Sequence, residues 1–225
     1  MPGREIPLVS GEIYHVINRG IASQPIFGDK RDYHRFLETI FYYQNQNPPL
    51  RYAKFLTLSV EERNRILRNL KKKKDFNVEF MSFCLMPNHF HLLLRQVKDG
   101  GISKFLSNLT NSYTRYFNTK NQRKGPLFQG KFKAVRIEND NQLLHVTRYI
   151  HLNPYTSYVI KNVEELASYP YSSFQEYLNP NDNQIMNKDE VLSHFKSLRL
   201  FKEFTFDHAD YQRKLDQIKH LSLET

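Results

Sequence analysis

Side chains in residues 11–18, GEIYHVIN, alternate between two faces, with Ile13, His15 and Ile17 on one and Tyr14 and Val16 on the other, which is the period of a β-strand. After a loop at residues 20–28 the spacing changes. Phe36, Leu37, Ile40 and Phe41 recur at helical intervals, Asp29 stands where an N-cap belongs, and Pro48 and Pro49 follow, so a helix is predicted from Asp29 through Gln46. Residues 76–85 and 89–97 are two β-rich runs separated only by Met86, Pro87 and Asn88, a hairpin connection. An amphipathic helix over residues 102–118 carries Phe105, Leu109, Tyr113 and Tyr116 near one stripe. A turn at 125–130, a strand at 132–137 and a helix at 141–153, ended by Pro154, complete the series.

The order β-α-β-β-α-β-α predicts an α+β protein: a ferredoxin-like antiparallel sheet with helices on one face and one added C-terminal helix. A polar insertion at about residues 47–76 interrupts it. Ser59 followed by Glu62 is a capping-box pattern that predicts a short helix over residues 60–70, and Lys71 to Lys74 close the insertion. Residues 1–167 read as one domain. Residues 168–225, which begin near YPYSSFQEY, read as an appendage or partner-binding extension.

Composition narrows the function. Lys and Arg number 33 against 23 Asp and Glu, a formal charge of +10, and such a surplus favours polyanionic partners, nucleic acid first among them. Cys84 is the only cysteine, which rules out an intramolecular disulfide and a cysteine-built zinc site. With no apolar run of signal-peptide or membrane-spanning length, a cytoplasmic protein is expected.

Two histidines can act together. His89 and His91 flank Phe90, and strand alternation sends both imidazoles to one face, an arrangement suited to a divalent metal, although such pairs also arise by chance in a chain with 9 histidines. In RYIHLNP, Tyr149 and Asn153 lie one helical turn apart and share a face, while His151 points elsewhere. A phenol is a weak nucleophile near neutral pH, so its attack on phosphorus needs a cation that fixes and polarises the phosphate.

Four segments in this order, MPNHFHLLL at 86–94, YTRYFN at 113–118, GPLFQGKFKA at 125–134 and YIHLNP at 149–154, resemble the single-tyrosine HUH transposases of insertion sequences, especially REP-associated tyrosine transposases. The resemblance runs from about Ile13 to Tyr171. It implies that His89 and His91 are metal ligands, Asn153 the third ligand and Tyr149 the nucleophile, with Mg²⁺ or Mn²⁺ as the cofactor. Tyr113 and Tyr116 are rival nucleophiles whose register matches the family's packing and DNA-facing helix. The expected activity is cleavage and rejoining of single-stranded DNA flanked by a hairpin through a 5′-phosphotyrosine. Arg115, Arg123, Lys124, Lys131, Lys133 and Arg136 are candidate DNA contacts.

Two other functions compete. A noncatalytic nucleic-acid-binding module of the same fold would stack bases on Phe80, Phe83 and Phe90, but no RNP-like segment is present. A zinc hydrolase would lack both an HExxH pattern and a placed general base. Whether the site forms within one chain or by exchange of the tyrosine helix in a homodimer is left open by the sequence.

Overall fold

The computed structural model describes residues 7–179 and 186–214. Four strands, β1 (Ile13–Arg19), β2 (Val78–Met86), β3 (His89–Gln96) and β4 (Lys133–Arg136), form a sheet in the order β2-β3-β1-β4, with every adjacent pair antiparallel. This is the ferredoxin-like topology expected from the element order. The turn between β2 and β3 is only Pro87 and Asn88, so the alternation of β3 passes undisturbed into the histidine pair. Phe90, Leu92 and Leu94 point to one face, and His89, His91 and Leu93 to the other.

Helices α1 (Lys30–Tyr43) and α4 (Gly101–Lys120) cover the Phe90 face. The Phe36 ring lies 5.2 Å from Phe90 and 4.9 Å from Tyr113, so both helices and the sheet share one aromatic core. Asp29 caps α1 as predicted, accepting from the backbone N–H of Arg31 and Asp32. The helix stops at Tyr43, short of Gln46. Asn45 donates its amide to the Phe41 and Tyr42 carbonyls and pairs with Phe76, pulling the chain out of the helix before the prolines are reached.

The insertion contains two helices, α2 (Tyr52–Phe55) and α3 (Val60–Lys73). The Ser59–Glu62 capping box forms, and the lysine run is the exposed last turn of α3 with Lys74 left-handed at φ 47°. Polar composition hid an aromatic anchor: Tyr52 and Phe55 are buried against Tyr42, at ring distances of 5.0 and 4.9 Å.

Helix α5 (Asp140–Thr156) lies on the opposite face of the sheet, over β2 and the histidine side of β3. The expectation that Pro154 ends it is corrected. Proline removes only its own N–H and so forfeits one bond near the end of the helix, while Ser157 N–H still reaches the Asn153 carbonyl at 3.0 Å. The chain then runs along the free edge of β2. Leu85 N–H donates to the Tyr171 carbonyl at 2.8 Å, Ser173 N–H donates to the Phe83 carbonyl at 3.0 Å, and the Tyr177 hydroxyl donates to the Met81 carbonyl. Helices α6 (Phe174–Leu178), α7 (Asp189–Leu192) and α8 (Leu198–Phe206) follow, and Phe174, Tyr177 and Phe201 enclose His151 of α5.

Candidate active site

β3 places His89 and His91 side by side on the α5 face, ring centres 4.9 Å apart. Each is held from behind. Asn88 donates its amide N–H to the Ser23 carbonyl at 3.2 Å, which leaves its Oδ1 facing His89 Nδ1 at 2.6 Å. A carbonyl oxygen only accepts, so the Asn88 contact favours the His89 tautomer with its proton on Nδ1 and Nε2 unprotonated. The Asn88 position is fixed in turn, because its carbonyl accepts from Gly20 N–H at 2.8 Å. Gly20 is required there, since a Cβ would stand 2.2 Å from the Gln24 carbonyl oxygen.

His91 is 3% exposed, and its Nδ1 lies 2.9 Å from Nε2 of His15, a residue of β1. In the β1–β3 register Ile17 is opposite His91 and Leu93 is opposite His15, so the two histidines are diagonal neighbours on one face. Burial lowers His15 to about 4, and burial followed by the Arg19 charge lowers His89 to about 4. His91 falls well below the usual histidine value, first through burial and then through its charged-form repulsion with His89, His15 and Arg19. The three rings are therefore neutral at physiological pH.

α5 completes the arrangement within the same chain. The Tyr149 ring is 5.5 Å from that of His91 and 6.0 Å from that of His15. Asn153, one turn on and 2% exposed, hydrogen-bonds the His89 ring and also donates to the Tyr149 carbonyl at 3.4 Å. The four residues singled out by the sequence thus converge. His89 and Tyr149 are half-buried and His15 and His91 buried, so the site opens at the end marked by exposed Arg19.

The donor chemistry fits a divalent cation. Among the described residues no group of three or more His, Cys, Asp or Glu side chains is arranged to hold a metal. The available set is instead two neutral imidazoles and one amide, which leaves positions open for phosphate oxygens and water.

The rival tyrosines are elsewhere. Tyr113 is fully buried on the Phe90 side, where its hydroxyl donates to the Ile26 carbonyl at 2.6 Å, and Tyr116 donates to Asp32 at 2.9 Å. The sheet separates both from the histidine pair. Phe80, Phe83 and Phe90 are buried, with Phe80 against Phe105 and Phe90 against Phe36, so they offer no surface on which bases could stack.

The candidate cations divide by position. Lys133 pairs with Ile17, which pairs with His91, so it is exposed on the site's face of the sheet. Arg136 pairs with Tyr14 on the opposite face, where Glu12 takes two of its nitrogens at 3.1 and 2.6 Å. Arg115 is exposed on α4, Lys124 and Lys131 are exposed, and Arg123 folds back to the Pro126 carbonyl and the Phe117 ring. Sequence reasoning missed His15 and Arg19. The alternation had already put His15 on the correct face, but only the register of β1 against β3, made over a separation of 76 residues, brings it to His91.

Residues 51–153 match the family model described as transposase, IS200 like. A solved REP-associated tyrosine transposase bound to a REP hairpin shares the fold at a TM-score of 0.52 and 16% identity, over 85% of this chain and 93% of that one. A transposase-like protein from Deinococcus radiodurans R1 matches at a TM-score of 0.35 and 15% identity, over 67% of this chain and 95% of that one, a likeness too weak to argue from. No curated protein sequence matches. Residues 51–153 thus resemble the IS200-like transposases, and the chain has the fold of a REP-associated tyrosine transposase. Among the described residues no helix is long and apolar enough to cross a membrane.

Proposed function

We propose that the protein is a metal-dependent DNA transposase that cuts and rejoins single-stranded DNA beside a hairpin through a 5′-phosphotyrosine on Tyr149. The observation that carries this reading is the convergence of Tyr149, its ring 5.5 Å from His91, with His89 and Asn153 on one sheet face. His89, His91 and Asn153 would hold Mg²⁺ or Mn²⁺. When bound, the ion would withdraw charge from nonbridging phosphate oxygens.

The chain's own residues do the rest. Tyr149 Oη attacks phosphorus, losing its proton as the Oη–P bond forms, and the P–O3′ bond breaks as the 3′ oxygen takes a proton. The covalent bond keeps the phosphodiester's energy, so a second 3′-OH reverses the step and joins strands without a nucleotide cofactor. Helix α5 fixes the phenol at one position, replacing a bimolecular encounter with an oriented one. A splayed single strand gives a bulky tyrosine its in-line path, and a hairpin can be recognised by shape and by phosphate contacts. Arg19 and Lys133, exposed on the active face, are suited to the strand's phosphates.

In this reading residues 1–167 form the catalytic domain of a cytoplasmic enzyme, and residues 168–225 are an extension whose described part holds the far side of α5. The packing of α5 on the sheet of its own chain supports a site formed within one chain, without exchange of the helix in a homodimer.

The test is incubation of purified protein with a hairpin-bearing single strand and Mg²⁺ or Mn²⁺. Cleavage with a covalent protein–DNA adduct, lost in EDTA, is expected. Cleavage at an undiminished rate in EDTA, or free 5′-phosphate ends without an adduct, would contradict the reading.

A further inference from the structure

His15 has no role in the chemistry described above, yet it is 8% exposed and lies against a proposed metal ligand. Its contact with His91 is informative about protons. The nitrogens are 2.9 Å apart, the ring planes differ by 23°, and the ring centres are 5.1 Å apart. That centre-to-centre distance is the nitrogen separation plus about one ring radius on each side, so the two imidazoles meet edge to edge along a nearly straight line. The ring directions of His15 Nε2 and His91 Nδ1 therefore point at each other and not at a shared third point. This is the geometry of one N–H···N hydrogen bond, with a single proton between two nitrogens.

Only one placement of that proton serves the site. If His15 donates, His91 accepts at Nδ1 and must carry its own proton on Nε2, where a cation cannot bind. If His91 donates, its Nε2 is left bare. The Asn88 contact favours that same tautomer for His89.

We propose that His15 is a positioning residue: its Nε2 accepts the Nδ1 proton of His91, so that His91 is held with a bare Nε2 in the ring orientation that binds the metal. The proposal rests on the metal-site reading above. The sequence devotes one neighbour to each ligand, a turn amide for His89 and a strand imidazole for His91. Partners of this kind fix both tautomer and ring orientation, and their loss typically weakens metal binding by about 10- to 100-fold.

Two variants separate hydrogen bonding from packing. His15→Phe keeps a flat ring and offers no acceptor, whereas His15→Gln offers an amide oxygen. Long-range ¹H–¹⁵N correlation spectra of metal-free protein read the His91 tautomer directly, and titration with MnCl₂ reads affinity without any turnover. Wild type is expected to show His91 protonated on Nδ1. His15→Phe should lose that preference and bind Mn²⁺ about 10- to 100-fold more weakly, and His15→Gln should recover affinity to within a few-fold of wild type. A wild-type His91 protonated on Nε2, or a His15→Phe protein with unchanged tautomer and Mn²⁺ affinity, would overturn the proposal. If His15→Phe does not fold, the wild-type tautomer and the His15→Gln affinity decide it. Failure of wild type to bind Mn²⁺ at all would instead sink the metal site itself, while the tautomer would still report whether His15 is the acceptor.

Discussion

The ring of Tyr149 stands edge-on to that of His91, the planes at 87° and the centres 5.5 Å apart, although the two residues come from a helix and a strand joined only through the rest of the fold. That approach is set by packing on both sides of α5. The sheet receives Tyr149 and Asn153, and His151 is locked into Phe174, Tyr177 and Phe201 with its Nε2 3.0 Å from the Ser173 hydroxyl.

On the proposed metal site, replacing His89 or His91 is expected to remove cation binding while leaving the cationic surface intact. His89→Ala and His91→Ala are each expected to reduce cleavage by more than about 100-fold with hairpin affinity nearly unchanged, because affinity rests on phosphate contacts. Asn153→Ala should be milder, since water can replace a neutral amide ligand. Single-turnover cleavage and a gel-shift titration measure the two effects, and a parallel loss of binding and cleavage would mean that the histidines hold DNA instead.

The positions of Tyr113 and Lys133 relative to the sheet lead to opposite expectations. Tyr113→Phe removes a buried hydroxyl bonded to the Ile26 carbonyl and should cost about 1 to 3 kcal/mol of stability. Adduct formation by the folded protein should persist. Chemical denaturation and an adduct assay on one preparation check both halves, and a stable but inactive variant would contradict them.

Lys133→Ala should weaken hairpin binding and reduce the slope of log affinity against log salt by about one. Arg136→Ala should do less, because Arg136 is on the other face and already paired with Glu12. Equal effects from the two variants would mean that DNA does not follow the active face.

Acid sensitivity follows from the buried imidazoles. His151 is lowered to about 3 by burial, and its Nδ1 has no hydrogen-bond partner. An unfolded histidine titrates near 6.5, so below that pH the unfolded chain binds a proton that the native state refuses. Stability is therefore full above about 6.5 and falls as pH drops toward 3, by about 2 kcal/mol at pH 5 for this one residue. His15 and His89 act in the same direction between about 6.5 and 4. Denaturation midpoints of metal-free protein at pH 7.5 and 5 should differ less for His151→Gln than for wild type. An unchanged pH difference would show that His151 does not supply this part of the acid sensitivity.

Much of this architecture was legible because it is local. Alternation in residues 86–94 placed His89 and His91 on one face, and the spacing of Tyr149 and Asn153 placed both on one side of a helix. What the sequence hid is nonlocal or depends on tertiary support. The diagonal contact of His15 with His91 needs strand register, the aromatic anchor of α2 needs Tyr42 beneath it, and the pairing of residues 171–173 with the β2 edge has no local signature. Pro154 misled for a related reason: a proline near the end of a well-packed helix forfeits one hydrogen bond without halting the chain.

The proposed mechanism requires that the Tyr149 oxygen hold the DNA. Trypsin cuts after Arg148, so residues 149–161 form one peptide, separate from those bearing Tyr113 and Tyr116. After cleavage of a hairpin substrate with Mn²⁺, mass spectrometry is expected to find the nucleotide on that peptide, with fragment ions placing it on Tyr149 and not on Tyr155 or Tyr158. Tyr149→Phe should fold, bind the hairpin and form no adduct. A nucleotide on Tyr113 or Tyr116, or an adduct that survives in Tyr149→Phe, would contradict the account.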